Sequence, residues 1–173
     1  MKFIILIPFV ILAISANGQI KSSYTSLKFD KLVMYDYEGG KGPDLYIVDE
    51  KGQLAKSIKK QVVLISKSIK ELNSKLEDKR SYGATTASCF DPHVGLVYYF
   101  KEKVVAHISI CLDCNRLRSS LDIPAQKQGK VGQGNEAYYI SDGLSKSFRK
   151  FINMLLKMAK FSHQIKPGSH FDE

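Results

Sequence analysis

Cys89, His93, Cys111 and Cys114 are the side chains of this chain best suited to chemistry. They fall in one stretch, CFDPHVGLVYYFKEKVVAHISICLDC, which holds all three cysteines and two of the four histidines. Three chemistries fit these residue types. Three thiolates and an imidazole could close a four-coordinate zinc site, with Cys-x3-His supplying one half and Cys-x2-Cys the other. Cys89 could form a disulfide with Cys111 or Cys114 and leave one free thiol. A Cys-x-x-Cys at a strand end could also exchange thiols and disulfides. The odd number of cysteines speaks against a fully paired set. A second polar pair, His107 and Ser109, stands two residues apart on one strand, a spacing expected of a solvated strand face. Cys89 beside His93 or His107 is a further conceivable thiolate site.

The elements around these residues decide whether they can meet. Leu96–Phe100 and Val104–Ile110 are rich in aromatic and β-branched residues, which suit a pleated, half-buried surface. Lys101-Glu102-Lys103 is a connector of hairpin length. The alternation of the second run sets Val104, Ala106, Ile108 and Ile110 on one face, and Val105, His107 and Ser109 on the other. An antiparallel hairpin places the turn before Leu96 beside the segment after Ile110. Asp91-Pro92-His93-Val94-Gly95 reads as that turn, and Ala84–Phe90 as a further strand leading into it. Cys89, His93, Cys111 and Cys114 are therefore expected at one end of a sheet.

The pattern Cys-Phe-x-Pro-His-x-Gly, followed after a hairpin by Ile-Cys-x-x-Cys, resembles a motif of small uncharacterised exported bacterial proteins. It spans residues 89–114, and the group often has a histidine where this chain has Val94. The resemblance implies export and attaches no activity.

Residues 1–18 have the form of a secretory signal peptide: Lys2, an apolar run from Phe3 to Ile14, then Ser15-Ala16-Asn17-Gly18 before Gln19. The apolar run is shorter than the roughly 20 residues a membrane span needs, and no later run is long enough. The expected location is secreted or periplasmic. Gln19–Asp30 is polar and reads as a flexible lead, residues 31–160 as a single domain, and residues 161–173 as a disordered tail containing His163 and His170 as ordinary exposed histidines.

Within the domain, Lys31–Tyr37 and Leu45–Val48 read as strands. Ser57–Lys79 reads as a long helix, with Ile58, Val62, Ile65, Ile69, Leu72 and Leu76 on one stripe. Residues 115–120 suggest a helical turn, Pro124–Glu136 a surface loop, and Tyr138–Ile140 an edge strand. A last helix is expected after Ser141 or Asp142 as cap, with Leu144, Phe148, Phe151, Leu155 and Met158 as its apolar face. The order of elements predicts an α+β fold: an antiparallel sheet of about five strands with two amphipathic helices packed on it.

The chain carries 26 Lys and Arg against 17 Asp and Glu, a formal charge of +9. Its lysines are scattered over helix faces, so a solvated basic surface is expected and nucleic acid is not. Gly-x-Ser-x-Gly and His-Glu-x-x-His are both missing. The glycines at 39, 40 and 42 lack phosphate-loop spacing. The expected function is an exported binding or interaction module stapled by its cysteines. The alternatives are a zinc-dependent or thiol-redox enzyme using Cys89, His93, Cys111 and Cys114, and a structural component of the envelope. Cofactors are expected to be none or zinc, and the partners stay open.

Overall fold

The computed structural model describes residues 23–40, 45–83, 89–131, 133–134 and 138–165. The signal segment, residues 84–88 of the expected third strand, and His170 lie outside the described residues.

Five antiparallel strands form the central sheet, in the order β2-β1-β4-β5-β6. They are β1 (Lys31–Tyr37), β2 (Ile58–Val63), β4 (Val94–Phe100), β5 (Lys103–Cys111) and β6 (Arg116–Ser119). Two small ribbons flank it. One pairs β3 (Tyr82–Gly83) with β9 (Gly143–Leu144), and the other pairs β7 (Gln128–Val131) with β8 (Tyr138–Ser141). Two helices complete the fold, α1 (Ser66–Glu77) and α2 (Lys146–Ala159). The α+β class and the two-helix, five-stranded arrangement are those the sequence implies.

The sheet is buried on both faces. On one, Leu32, Met34, Leu96, Tyr98, Ile108 and Ile110 meet Leu72 and Leu76 of α1 and Phe148, Ile152 and Leu155 of α2 in a single apolar cluster. Both helices therefore lie on the same face. On the other, Val33, Tyr35, Tyr37, Val97 and Tyr99 are covered by Ile47, Val48 and Ala55. Alternation along β1 sends residues to each cluster in turn, which is why Leu32 to Tyr35 form an unbroken apolar run.

The hairpin β4–β5 forms as its sequence implies, with a tighter turn. Phe100 pairs with Lys103, so the loop is Lys101 and Glu102 alone, at φ 49° and 62°. Two left-handed residues are what a two-residue turn needs to match the strand twist. A bulge between Tyr98 and Tyr99 then shifts the register: Tyr98 pairs with Ala106 but Tyr99 with Val104. Val105 is the extra residue. It packs toward the helix-side cluster and Val104 toward the other, which corrects the simple alternation expected.

Other expectations are corrected as well. Residues 58–63 are the edge strand β2, and the helix occupies only Ser66–Glu77. A bulge explains the deception. The register with β1 shifts between Asp36 and Tyr37, so Ile58 packs on one face of the sheet and Val62 on the other. A strand broken in this way imitates the four-residue step of a helix. Ile65 falls at the junction and is 62% exposed. Leu45–Val48 is no strand. It makes one isolated bridge, Val48 to Leu54, yet buries Ile47 completely. Residues 116–119 extend the sheet as β6, and the expected loop 124–136 contains β7. Helix α2 is capped by Ser145, whose hydroxyl accepts from the Phe148 amide; Leu144 sits in β9, and Met158 is exposed.

The ends of the domain are also tied down. Tyr24 is 1% exposed and belongs to the helix-side cluster, so the lead is packed from Ser23 onward. Phe161 and Ile165 are buried as well, so the described part of the expected tail lies on the fold.

Candidate functional site

Cys89 and Cys114 form a disulfide across a separation of 25 residues, with Cα atoms 5.7 Å apart. Cys89 and Phe90 belong to no strand; the covalent bond holds them at the sheet end. The second half of the staple is fixed from within. Asn115 adopts φ 51°, and its side-chain Nδ2 donates to the Leu144 carbonyl at 3.0 Å. The fully buried Arg149 of α2 donates from Nη1 to the Leu112 carbonyl at 3.0 Å and to Asn115 Oδ1 at 3.1 Å. The turn between Cys111 and Cys114 is thus anchored to the helix layer. Arg149 lies among the apolar positions of α2, where the sequence pattern gave no reason to single it out.

Cys111 is the free thiol and is 0% exposed. Its sulfur accepts from the Asp91 amide at 3.4 Å and the Cys114 amide at 3.3 Å. Burial pushes this thiol above its ordinary pKa despite those donors. A buried neutral thiol is a poor nucleophile and a poor metal ligand. With two sulfurs bonded to each other and the third protonated, the Cys₃His zinc site does not form. The Cys-x-x-Cys pair is not bonded to itself, and Cys89 holds no thiolate for His93 or His107 to activate.

Ser109 is buried, 1% exposed, and its hydroxyl accepts from the Ile47 amide at 2.9 Å. It anchors the covering segment. It neither faces solvent nor serves as a nucleophile beside His107. His107 is half-buried, and desolvation holds its pKa below the ordinary histidine value. It lines a shallow cleft of about 300 Å³ with Tyr46, Asp49, Arg118 and Ser120.

His93 has a different set of neighbours from the one its spacing implied. Its ring stacks on His163, with centroids 4.1 Å apart and planes 6° apart. Its Nδ1 lies 3.3 Å from Glu38 Oε2, and its Nε2 lies 3.8 Å from Asp91 Oδ2. His163 donates or accepts through Nδ1 to Asp36 Oδ1 at 2.6 Å, and its Nε2 is 3.4 Å from Glu38 Oε1. The histidine assigned to a disordered tail is therefore the second half of an imidazole pair.

Each member is delivered by the fold. Asp36 is the last helix-side position of β1, and Glu38 follows the strand. His93 immediately precedes β4, where its backbone accepts from the Tyr37 amide at 3.1 Å and donates to Ile110 at 3.1 Å. His163 arrives after α2, where the Ser162 amide and hydroxyl both donate to Asp36 Oδ2 at 2.7 Å. Burial alone would raise the Asp36 pKa, but the bonds from His163 and Ser162 outweigh it and hold the carboxyl below its ordinary value. Glu38 is lowered chiefly by its ion pair with Lys59. His93 Nδ1 is buried and has no hydrogen-bond partner.

No family model matches the chain, and no curated protein or solved structure does either. The geometry of this sheet end therefore carries the functional argument. Among the described residues, no helix is long and apolar enough to cross a membrane.

Proposed function

We propose that this chain is an exported binding module whose ligand site is the sheet end stapled by Cys89–Cys114. The carrying observation is the convergence of Glu38, His93 and His163, backed by Asp36, from three separate segments. A packed domain of this kind has no need of such a cluster for its core, which lies elsewhere. His93 Nδ1 is buried and makes no hydrogen bond, with the Glu38 carboxylate 3.3 Å away, and a ligand between the two would satisfy both. Export is supported by the form of residues 1–18 and by a disulfide, which persists in oxidising compartments. Binding is favoured over thiol-redox catalysis because the one free thiol is buried and protonated.

A thermal-shift screen with divalent cations, carboxylates, amino acids and inorganic phosphate tests this reading. At least one solute class is expected to raise the melting temperature of the wild type and not that of a His93→Gln/His163→Gln variant. Identical responses of the two proteins to every class would overturn it.

A further inference from the structure

Among the described residues, surface clefts and one side-chain cluster outside the core could hold a ligand. The cleft beside His107 mixes Arg118 with Asp49 and Glu50 and selects no charge. The groove along α1 lined by Lys67, Lys70, Glu71 and Asp78 is an exposed mixed-charge surface. The cluster at the stapled end has a definite chemistry.

We propose that Glu38, His93 and His163 form a binding site for one divalent first-row transition-metal ion of the zinc type, with Asp36 as the positioning residue behind His163. This rests on the reading of the stapled end as a binding site, and it uses a ligand set without sulfur. One ligand atom from each of the three residues lies within 4.8 Å of the others. Ligands about 2.1 Å from a tetrahedral ion are separated by about 3.4 Å. The two imidazole–carboxylate spacings, 3.3 Å to Glu38 Oε2 and 3.4 Å to Oε1, are of this size. Binding one ion requires the stacked rings to turn so that both nitrogens and one carboxylate oxygen face it.

The contacts behind the rings point the same way. Asp36 is 1% exposed and accepts from Ser162 on one oxygen and faces His163 Nδ1 on the other. The second nitrogen of that ring, Nε2, lies 3.4 Å from Glu38 Oε1. His93 Nδ1, which is buried and makes no hydrogen bond, lies 3.3 Å from the other oxygen of the same carboxylate. Both rings thus present a nitrogen to one carboxylate, an arrangement that a single dication can join. A carboxylate behind a ligating histidine is the usual device for fixing its tautomer and raising its basicity.

The charges nearby agree. Asp36, Glu38 and Asp91 set three carboxylates around the two rings, and Lys59 is the cation paired to Glu38. Leaving the rings aside, three carboxylates and one ammonium sum to −2, a charge that a dication balances. Lys59 is about half exposed, so its ammonium can leave Glu38 for solvent when an ion arrives. Two histidines and one glutamate fill three positions of a tetrahedral ion and leave the fourth open to water or a further ligand.

The test is titration of the purified, chelator-treated chain with Co²⁺ and Zn²⁺. One Co²⁺ per chain is expected, with visible d–d bands of a nitrogen–oxygen site and no thiolate-to-cobalt charge-transfer band. Zn²⁺ should displace it. Glu38→Gln, at a half-exposed side chain outside the core, and His163→Gln should each weaken binding by about 100-fold. Asp36→Asn should weaken it by about 10–100-fold as a positioning residue, and His107→Gln should leave it unchanged. A charge-transfer band, or Co²⁺ affinity indifferent to Glu38→Gln and His163→Gln, would overturn the proposal. Histidine ring NMR signals recorded with inorganic phosphate and acetate separate the two levels of the argument. Shifts at His93 and His163 with these anions but no cobalt binding would overturn the metal and retain the binding module. No response to either cations or anions would overturn both.

Discussion

His163 shows what a single partner can do for a residue. In the sequence it is one histidine in a polar stretch, and nothing local distinguishes it from His170. Its role comes from Asp36, 127 positions away. The same contact makes a pH prediction. The folded pKa of Asp36 lies below its unfolded value near 3.8, so its contribution to stability is present above that value and is lost as pH falls through the folded one. His107 acts in a higher window. Burial depresses its pKa below 6.5, so the unfolded chain takes up that proton first, and stability falls as pH drops below about 6.5. Urea midpoints measured from pH 7 to pH 3 should show both losses. Asp36→Asn should flatten the lower one and His107→Gln the upper; unchanged slopes in both variants would contradict these assignments. The cysteine cluster was legible as a place and not as a pairing. Hairpin register puts Cys89 near Cys111 and Cys114, but which sulfur it meets depends on the αL turn at Asn115 and on buried Arg149, neither of which leaves a sequence signature. Replacing Cys89 and Cys114 by Ala should cost about 3 kcal/mol through the freed 25-residue loop. Wild-type Cys111 should react with a thiol reagent only after unfolding.

At the scale of elements, the three interior strands of the sheet were the readable ones. β1 runs over the residues expected of it, and β4–β5 forms the expected hairpin. A bulge hid β2. In β2 the register slip opposite Asp36 and Tyr37 sends two apolar residues of like parity to opposite faces, and the pattern then mimics a helix. The correction has a direct consequence. Leu72, fully buried in α1, should cost about 2–5 kcal/mol when cut to Ala. Ile65, exposed before the helix, should cost within about 0.5 kcal/mol. Equal losses in chemical denaturation would restore the longer helix. The segment 45–48 was misread for a related reason: its apolar residues cover a sheet face without joining the ladder. A Cβ on Gly95 would overlap the side chain of Ile47, so Gly95→Ala should lift this cover and cost about 1–3 kcal/mol.

For the whole molecule, periodicity and element order were enough to give an α+β domain with two helices on an antiparallel sheet, because those features follow from local chemistry. The closure of its ends was not, because it depends on contacts far apart in sequence: Tyr24 against Tyr98, and Asp36 against Ser162 and His163. The account of export predicts that intact mass of the secreted protein begins at or near Gln19 and is two hydrogens lighter than the reduced chain; a species retaining Lys2 and its apolar run would mean an anchored protein. The central claim is that the stapled sheet end gathers two histidines and a glutamate around one ion. Anomalous scattering at the zinc edge, from crystals grown with Zn²⁺, tests it most directly. The account predicts one strong peak about 2.0–2.2 Å from His93 Nδ1, His163 Nε2 and a Glu38 oxygen, with the Cys89–Cys114 bond intact. A peak on the Cys111 sulfur, or none at the histidine pair, would contradict it.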